Sequence, residues 1–258
     1  MLPYIELFGK AFPMYGLCIV AGILAAALFM IYDCKKNNVR WENAVIIGLI
    51  GVLAGFLGAK ILYIFVTYEF SEIVEMVTEW SFDDLTTSGF VFYGGLIAGV
   101  AGAFIGAKII REKLFDYENV LVKIIPLVHG FGRIGCFCAG CCYGKPTDGL
   151  LHVIYKHPVS DAPVGEPLMP VQLYEAGFNF ILFLVLWFLD RRFKTKLLLP
   201  VYIMGYGIER FIIEYFRYDE VRGRFLAFST SQWISIGMCV IGAGLLLFRL
   251  RKRVKENV

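Results

Sequence analysis

The chain alternates between long apolar stretches and polar segments, and seven of the apolar stretches approach the length of a membrane span. A transmembrane helix needs about 20 consecutive, predominantly apolar residues. The pattern therefore predicts an all-α integral membrane protein, a bundle of seven transmembrane helices. The predicted helix cores are Pro13–Tyr32, Ala44–Val66, Gly89–Ile110, Glu118–Phe137, Val171–Leu189, Leu197–Phe216 and Ser231–Leu250.

The Lys and Arg residues of the connecting segments predict the orientation of this bundle. Segments 33–43 and 190–196 and the C-terminal tail are basic, whereas segment 67–88 carries six acidic residues and no Lys or Arg. Basic segments remain in the cytoplasm, so we expect the N-terminus outside and the C-terminus inside. Residues 1–258 are expected to form a single transmembrane domain, with segments 67–88 and 143–170 as its outer cover.

Composition excludes the soluble classes of protein. Of the 258 residues, 58% are hydrophobic and 18% are charged, whereas soluble domains have about 45–50% apolar and about 25% charged residues. The formal net charge of +3 is too small for a basic nucleic-acid-binding surface, so we expect no nucleic-acid partner. Seven Cys residues in a chain of this length do not indicate a disulfide scaffold.

Glycines recur at helical spacing in two of the predicted helices. They are Gly48, Gly51, Gly55 and Gly58 in the second, and Gly95, Gly99, Gly102 and Gly106 in the third. Small residues let membrane helices approach closely. We therefore predict tight helix packing along both rows of glycine.

Three ionisable residues near the end of the sixth predicted helix are candidate site residues. Arg210, Glu214 and Arg217 are four and three residues apart, a spacing that places them on one helical face. Ionisable side chains are costly at membrane depth and usually serve a function there. The alternative is a structural ladder in which Glu214 neutralises both arginines.

Segment 129–144 is rich in glycine and cysteine. Its five glycines predict a broken span whose backbone lines a cavity. Arg133 within it is a candidate ligand for an anion such as a lipid phosphate, because a guanidinium fork matches phosphate oxygens. His129, one helical turn earlier, is either a catalytic base or a buried histidine with a packing role.

Four of the seven cysteines, Cys136, Cys138, Cys141 and Cys142, fall within the same segment. They are open to three interpretations: small packing residues, thiol redox chemistry and metal binding. Metal sites usually draw ligands from more than one segment, and adjacent cysteines rarely both bind. The spacing therefore argues against metal binding but leaves all three interpretations open.

Six motifs occur in a characteristic order along most of the chain. They are Met14–Gly16, Tyr93–Ile97, Gly132–Gly135, Pro170–Glu175, Tyr206–Arg217 and Gln232–Ser235. Their order and content resemble the prolipoprotein diacylglyceryl transferase family. The resemblance implies an enzyme of the bacterial cytoplasmic membrane that moves diacylglyceryl from phosphatidylglycerol to the lipobox cysteine of a preprolipoprotein signal peptide.

The resemblance also implies roles for individual residues. Arg133 and Arg210 would hold the lipid phosphate and stabilise charge on the departing group. Because this arginine pair can do the electrostatic work, the resemblance implies no metal and no cofactor. The residues that it assigns to substrate binding are Tyr15, Arg133, Gln172, Tyr174, Arg210, Glu214 and Arg217.

The chain departs from the family signature at the positions that bear on the acceptor. Cys136, Ala139 and Cys141 stand where the family has two asparagines and a glutamate, and Tyr93 stands where it has a histidine. A phenol, with an ordinary pKa of about 10, is a poor base at neutral pH. We therefore expect His129 to compensate. The predicted catalytic residues are Arg133, Arg210, His129 and Tyr93.

The sequence is also compatible with other functions. A diverged lipid transferase could use another acceptor, and a membrane thiol-redox or metal-handling protein could use the cluster Cys136–Cys142. A non-catalytic lipid-binding or transport protein would also explain buried arginines, although seven helices without internal repeats are atypical of transporters.

Overall fold

The computed structural model describes residues 3–7, 9–69, 71–73, 91–160, 162–218 and 224–256. Within them the chain is mostly helical. The helices are α1 (Met14–Lys36), α2 (Trp41–Thr67), α3 (Phe92–Ile109), α4 (Leu114–Ala139), α5 (Val171–Phe193), α6 (Leu198–Ile213) and α7 (Thr230–Glu256). Three antiparallel pairs of strands connect them: β1 (Tyr4–Leu7) with β2 (Lys10–Pro13), β3 (Val153–Ile154) with β4 (Pro167–Leu168), and β5 (Arg224–Phe225) with β6 (Phe228–Ser229).

Each predicted transmembrane core coincides with one of these helices. In the described part of the chain, five helices are long and apolar enough to cross a membrane: α1, α2, α4, α5 and α7. Helix α3 is apolar but shorter, and α6 has 16 residues. The chain is therefore a multi-pass membrane protein. Segment 67–88, predicted as an outer cover, lies largely outside the described residues.

The helices fall into two compact units. One unit is Met30–Leu121, which contains α2 and α3. The other consists of Met1–Phe29 together with Val122–Val258, and it contains α5, α6 and α7. The two points at which the chain passes from one unit to the other fall within α1 and within α4.

In the unit Met30–Leu121, α2 and α3 pack closely along their glycines. A Cβ atom added to Gly58 would lie 2.2 Å from the Cβ of Ala98 and 2.6 Å from the carbonyl oxygen of Gly94. A Cβ added to Gly55 would lie 3.2 Å from the carbonyl oxygen of Gly95. The two backbones therefore approach too closely for side chains to fit, and the predicted tight packing is confirmed for this pair.

In the other unit, an apolar core joins α4, α5 and α6. Val122 of α4, Leu182 and Leu186 of α5 and Leu198 of α6 form one buried cluster. The fully buried Lys123 of α4 pairs with Asp190 near the end of α5. The ion pair allows a lysine to lie within a membrane helix, because an unpaired charge there would be costly.

Helix α4 is continuous, so the predicted break within segment 129–144 is wrong. The helix runs through Gly130, Gly132 and Gly135 and ends at Ala139. The glycines allow close packing: a Cβ on Gly130 would lie 2.7 Å from the ring of Phe180. A continuous helix keeps backbone groups hydrogen-bonded where water is absent, and this outweighs the low helix propensity of glycine.

The segment after α4 leaves the helix at Gly140 and packs back against the helix end. Gly140 has a φ of +78°, and a Cβ there would lie 2.8 Å from Pro158. The backbone N–H groups of Val159 and Ser160 donate to the carbonyl of Ala139 at 3.1 and 3.2 Å. Segment 143–170 thus caps the last turn of α4.

Replacing Gly58 with alanine is expected to destabilise the packing of α2 against α3. The added methyl group would overlap Ala98 and a backbone carbonyl that cannot rotate away, and overpacking of this kind costs about 1–3 kcal/mol. Thermal unfolding of the detergent-solubilised protein, followed by circular dichroism, measures the change. Gly48→Ala in the same helix is the matched control, since the nearest atom to its added Cβ lies 3.9 Å away. Equal losses in both variants would contradict the prediction.

Candidate active site

The buried carboxylate of Glu175, in the second turn of α5, is the centre of a polar cluster. Arg133 of α4 pairs with its Oε2 atom. A guanidinium nitrogen of Arg210, on α6, lies 3.8 Å from Oε1 of Glu175, and one of Arg217, beyond α6, lies 3.4 Å from the same oxygen. Three guanidinium groups from separate parts of the chain therefore surround one carboxylate whose residue is 2% exposed.

Glu214 forms a second ion pair in this cluster. Its Oε2 atom lies 2.9 Å from Nη2 of Arg210, so the predicted pair at i and i+4 is present. Nη2 of Arg210 also donates to the hydroxyl of Ser231 at 3.2 Å, and the hydroxyl of Ser229 donates to Glu214 at 2.9 Å. Residues at the start of α7 thus hold both members of the pair.

Ser229 and Gln232 fix the start of α7 through a capping box. The N–H of Ser229 donates to Oε1 of Gln232 at 3.0 Å, and the N–H of Gln232 donates to the hydroxyl of Ser229 at 3.3 Å. Such reciprocal bonds satisfy backbone donors at a helix start. The cap keeps Ser229 in reach of Glu214, which gives the Gln232–Ser235 motif a structural role in the site.

Arg217 lies outside α6, which ends at Ile213. The prediction that it shares a helical face with Arg210 is therefore wrong. The backbone of Arg217 forms an antiparallel bridge with Gly144, and this pairing takes the chain out of the helix. Arg217 reaches the cluster through its contact with Glu175 instead.

The ion pairs join three guanidinium groups to two carboxylates, so the contacting groups carry one more positive than negative charge. Arg133 and Arg210 were predicted to hold a lipid phosphate together, and the carboxylate of Glu175 contacts both of them instead. An anion that binds at the same position would replace the contacts of both arginines with Glu175. Each charge moved out of water is costly, so the exchange requires an anion of matching geometry.

His129 takes part in the same cluster through Arg133. Nε of Arg133 donates to Nε2 of His129 at 3.2 Å, and the ring of His129 lies 5.6 Å from that of Tyr206. The Nε2 lone pair is therefore engaged by the arginine. In this arrangement His129 orients Arg133, and it can accept a proton at Nε2 only if that hydrogen bond opens.

Asn179 and Glu209 are buried beside the cluster, and neither was predicted as a site residue. Nδ2 of Asn179 donates to the carbonyl oxygen of Glu175 at 2.8 Å and to Oε1 of Glu209 at 3.2 Å. Glu175 was also not recognised as a site residue, although it falls within a matching motif. All three lie in predicted membrane helices, where buried polar groups indicate function. Their positions in the sequence could therefore have identified them as candidate site residues.

Gln172, predicted to bind substrate, holds the segment that follows α4. Its Nε2 atom donates to the backbone carbonyl of Cys141 at 2.7 Å and to the hydroxyl of Tyr155 at 3.1 Å. Burial raises the pKa of Tyr155 to about 12, so this hydroxyl stays protonated at neutral pH. These contacts give Gln172 a positioning role for the cysteine-containing segment.

Tyr174, also predicted to bind substrate, lines an apolar cavity of about 260 Å³ between α5 and α6. Its lining residues are Tyr174, Phe178, Glu209, Ile212, Ile213 and Phe216. A largely hydrocarbon lining of this kind suits an apolar chain.

Tyr15 and Tyr93 lie in different compact units. Tyr15, in the first turn of α1, packs on α4, since a Cβ added to Gly135 would lie 3.0 Å from its ring. Tyr93 lies near the start of α3, in the unit Met30–Leu121, and is 45% exposed. The catalytic role of Tyr93 stays a prediction.

Three of the four clustered cysteines come together. The sulfur atoms of Cys136, Cys141 and Cys142 all lie within 4.8 Å of one another. Hydrogen bonds from the Cys136 and Cys141 thiols, together with the charge of Arg217, lower the pKa of Cys142. Cys138 is hydrogen-bonded instead to Cys18 of α1.

The fold and the cluster define a class of protein: a multi-pass membrane protein with a buried cluster of arginines and carboxylates. A family model for prolipoprotein diacylglyceryl transferase matches residues 4–248. The chain belongs to the prolipoprotein diacylglyceryl transferase family.

Individual relatives agree with this assignment. The chain is 36% identical over 241 residues to the phosphatidylglycerol–prolipoprotein diacylglyceryl transferase of Clostridium tetani, a match that covers 92% of this chain and 93% of the relative. It is 33% identical over 257 residues to the second such enzyme of Clostridium perfringens, covering 96% and 94%. The corresponding protein of a Marinomonas species is 30% identical over 251 residues, covering 92% and 88%.

Replacing Glu175 with glutamine is expected to lower the stability of the protein and to increase its stabilisation by phosphate. The substitution removes the charge that three guanidinium groups share, and breaking a buried ion pair costs about 3–5 kcal/mol. Thermal unfolding with and without inorganic phosphate measures both effects. The exposed Glu166→Gln is the control, and it should behave as the wild type. An unchanged melting temperature for Glu175→Gln would contradict the prediction.

Proposed function

We propose that this protein transfers the diacylglyceryl group of phosphatidylglycerol to a cysteine thiol of prolipoproteins. Family membership and relatives of that name at 30–36% identity support this transferase activity. The structural observation that carries the proposal is the convergence of Arg133, Arg210 and Arg217 on one buried carboxylate. Such a cluster is equipped to bind a phosphodiester.

In the proposed reaction, the acceptor sulfur attacks the glyceryl carbon that bears the phosphate ester. A carbon–sulfur bond forms, the carbon–oxygen bond breaks, and its electron pair stays on the departing glycerol phosphate. Negative charge therefore grows on the phosphate during the reaction. Arg133 and Arg210 stabilise it, because preorganised donors in a water-poor site favour developing charge strongly.

The carboxylate of Glu175 has two roles, one before and one after the lipid binds. Without lipid, it neutralises the arginines and holds their side chains in place. When the lipid phosphate binds, the arginines exchange the carboxylate for phosphate oxygens. Glu214 keeps Arg210 oriented throughout, through its contact at 2.9 Å. Arg217 adds a third positive charge at the same position.

The lipid and peptide substrates would use the surrounding helices. The apolar cavity lined by Tyr174 is suited to an acyl chain of the lipid. Tyr15, at the start of α1, would line the path of the lipid beside α4. We propose that the acceptor is the lipobox cysteine of a preprolipoprotein signal peptide, as the family resemblance implies.

We further propose a seven-span topology in the bacterial cytoplasmic membrane, with the N-terminus outside. The distribution of Lys and Arg supports this orientation, and it assigns Arg133 and Arg210 to the outer halves of their spans. The packing of segment 143–170 against the end of α4 supports an outer cover on this side. In this proposal the two compact units form a single functional domain.

Replacing Arg133 or Arg210 with alanine is expected to lower kcat by about 10²- to 10³-fold, the usual effect of losing one donor to a developing anion. The assay incubates the solubilised protein with labelled phosphatidylglycerol and a lipobox peptide and measures labelled peptide. Arg40→Ala is the control, because that side chain is 78% exposed. Full activity in both site variants would contradict the proposed phosphate clamp.

Two substitutions at His129 separate a positioning role from a catalytic base. His129→Gln keeps an acceptor for Arg133 but cannot take up a proton, and we expect it to retain most of the activity. His129→Leu removes the acceptor of the Arg133 Nε–H hydrogen bond, and we expect its activity to fall. A general base contributes about 10²- to 10⁴-fold, so a loss of that size in the glutamine variant would identify His129 as the base instead.

A further inference from the structure

The three sulfur atoms at the end of α4 form a compact donor set beside the arginine cluster. Cys136 lies in the last turn of α4, and Cys141 and Cys142 follow the turn at Gly140. Each pair of these sulfurs is within 4.8 Å. All three residues are partly accessible, so an ion could reach them.

The backbone around these thiols is held in a defined conformation. The N–H groups of Gly140 and Cys141 both donate to the carbonyl of Cys136, at 3.0 and 3.2 Å. Gln172 binds the carbonyl of Cys141 at 2.7 Å. Cys142 has a φ of +56°, a left-handed conformation that is uncommon for a residue with a side chain. These hydrogen bonds thus hold a strained turn in which the three sulfur atoms lie close together.

The spacing of the sulfurs fits a soft metal ion. In a tetrahedral zinc site with Zn–S bonds of about 2.3 Å, sulfurs lie about 3.8 Å apart, so these three need to approach by no more than about 1 Å. Rotation of cysteine side chains is enough for that change. A single disulfide, in contrast, would leave the third sulfur of the group unused.

A set of three protein ligands also leaves a coordination position open, which is the arrangement of catalytic zinc sites. The acceptor thiol in the proposed reaction must lose its proton before it attacks. The Nε2 lone pair of His129, the residue predicted to act as base, is engaged by Arg133. A metal-bound thiol is deprotonated outright.

We propose that Cys136, Cys141 and Cys142 bind a thiophilic divalent cation such as Zn²⁺, with the fourth position taken by the acceptor thiol of the substrate. The second part of this proposal rests on the proposed transferase function.

Activation of the acceptor thiol by the cation needs no further reactant. As the acceptor sulfur coordinates the cation, its proton passes to water, and the sulfur becomes a thiolate. That thiolate then forms the carbon–sulfur bond, while glycerol phosphate leaves with the electron pair of the broken carbon–oxygen bond. The backbone bridge between Gly144 and Arg217 keeps the cysteine turn beside the arginines that bind the phosphate.

Cobalt binding to the reduced, solubilised full-length protein tests the metal site directly. Co²⁺ bound by thiolates gives a charge-transfer band in the near ultraviolet, and we expect the wild type to show it at one ion per chain. The variants Cys136→Ser, Cys141→Ser and Cys142→Ser should each lose most of the band. Zn²⁺ should displace Co²⁺ and abolish it. Absence of the band in the wild type would overturn the proposal.

Two cysteine variants and one arginine variant serve as controls. Cys138→Ser and Cys239→Ser remove thiols outside the group of three and should keep the band. Loss of the band in either of them, or its persistence in Cys141→Ser, would overturn the assignment of ligands. Arg133→Ala should lose transfer but keep the band, so the metal site can be judged even if the proposed function fails.

Addition of the acceptor peptide tests the open position. A lipobox peptide with its cysteine should intensify the thiolate-to-cobalt band, and the same peptide with serine in place of cysteine should not. Cobalt binding that is unchanged by the cysteine peptide would overturn the role in acceptor activation. Gel filtration and melting temperatures identify any variant that fails to fold, and replacement of Cys136 by alanine gives a second variant for that position.

Discussion

The structure depends on one electrostatic constraint: a carboxylate and three guanidinium groups are buried together in the interior of a membrane protein. Glu175 is nearly inaccessible, and Arg133, Arg210 and Arg217 reach it from α4, from α6 and from the segment after α6. None of these charges could be buried alone, because the desolvation penalty amounts to several kcal/mol for each ion. The cluster therefore links α4, α5 and α6 as well as providing the site.

Several contacts around the cluster keep these charged side chains next to one another. The capping box of Ser229 and Gln232 fixes the start of α7, and α7 in turn supports the pair of Arg210 and Glu214. The segment after α4 pairs with the backbone at Arg217. An arginine cluster that is paired with buried carboxylates, yet has one more positive than negative charge, can be stable without a ligand and still accept a phosphodiester. This combination suits an enzyme that must bind an anionic lipid and release an anionic product.

Part of the fold and the site could be predicted from sequence, because they follow from local patterns. Hydropathy located every described helix, glycine spacing predicted the close approach at Gly58, and the rarity of membrane arginines identified Arg133 and Arg210. The continuity of α4 was not predicted, because glycine propensity is a weak preference that packing and the absence of water override. The position of Glu175 in a predicted membrane helix marked it as a candidate, but its pairing with three arginines could not be predicted, because those arginines are distant in sequence. The end of α6 before Arg217 likewise depends on a long-range backbone bridge.

A structure of the protein with a phosphonate analogue of phosphatidylglycerol, in which carbon replaces the ester oxygen that leaves, tests the central claim most directly. The account predicts that the phosphonate oxygens contact Arg133 and Arg210 and that the carboxylate of Glu175 has moved away from at least one of them. A headgroup bound elsewhere, with the contacts between Glu175 and the arginines unchanged, would contradict it.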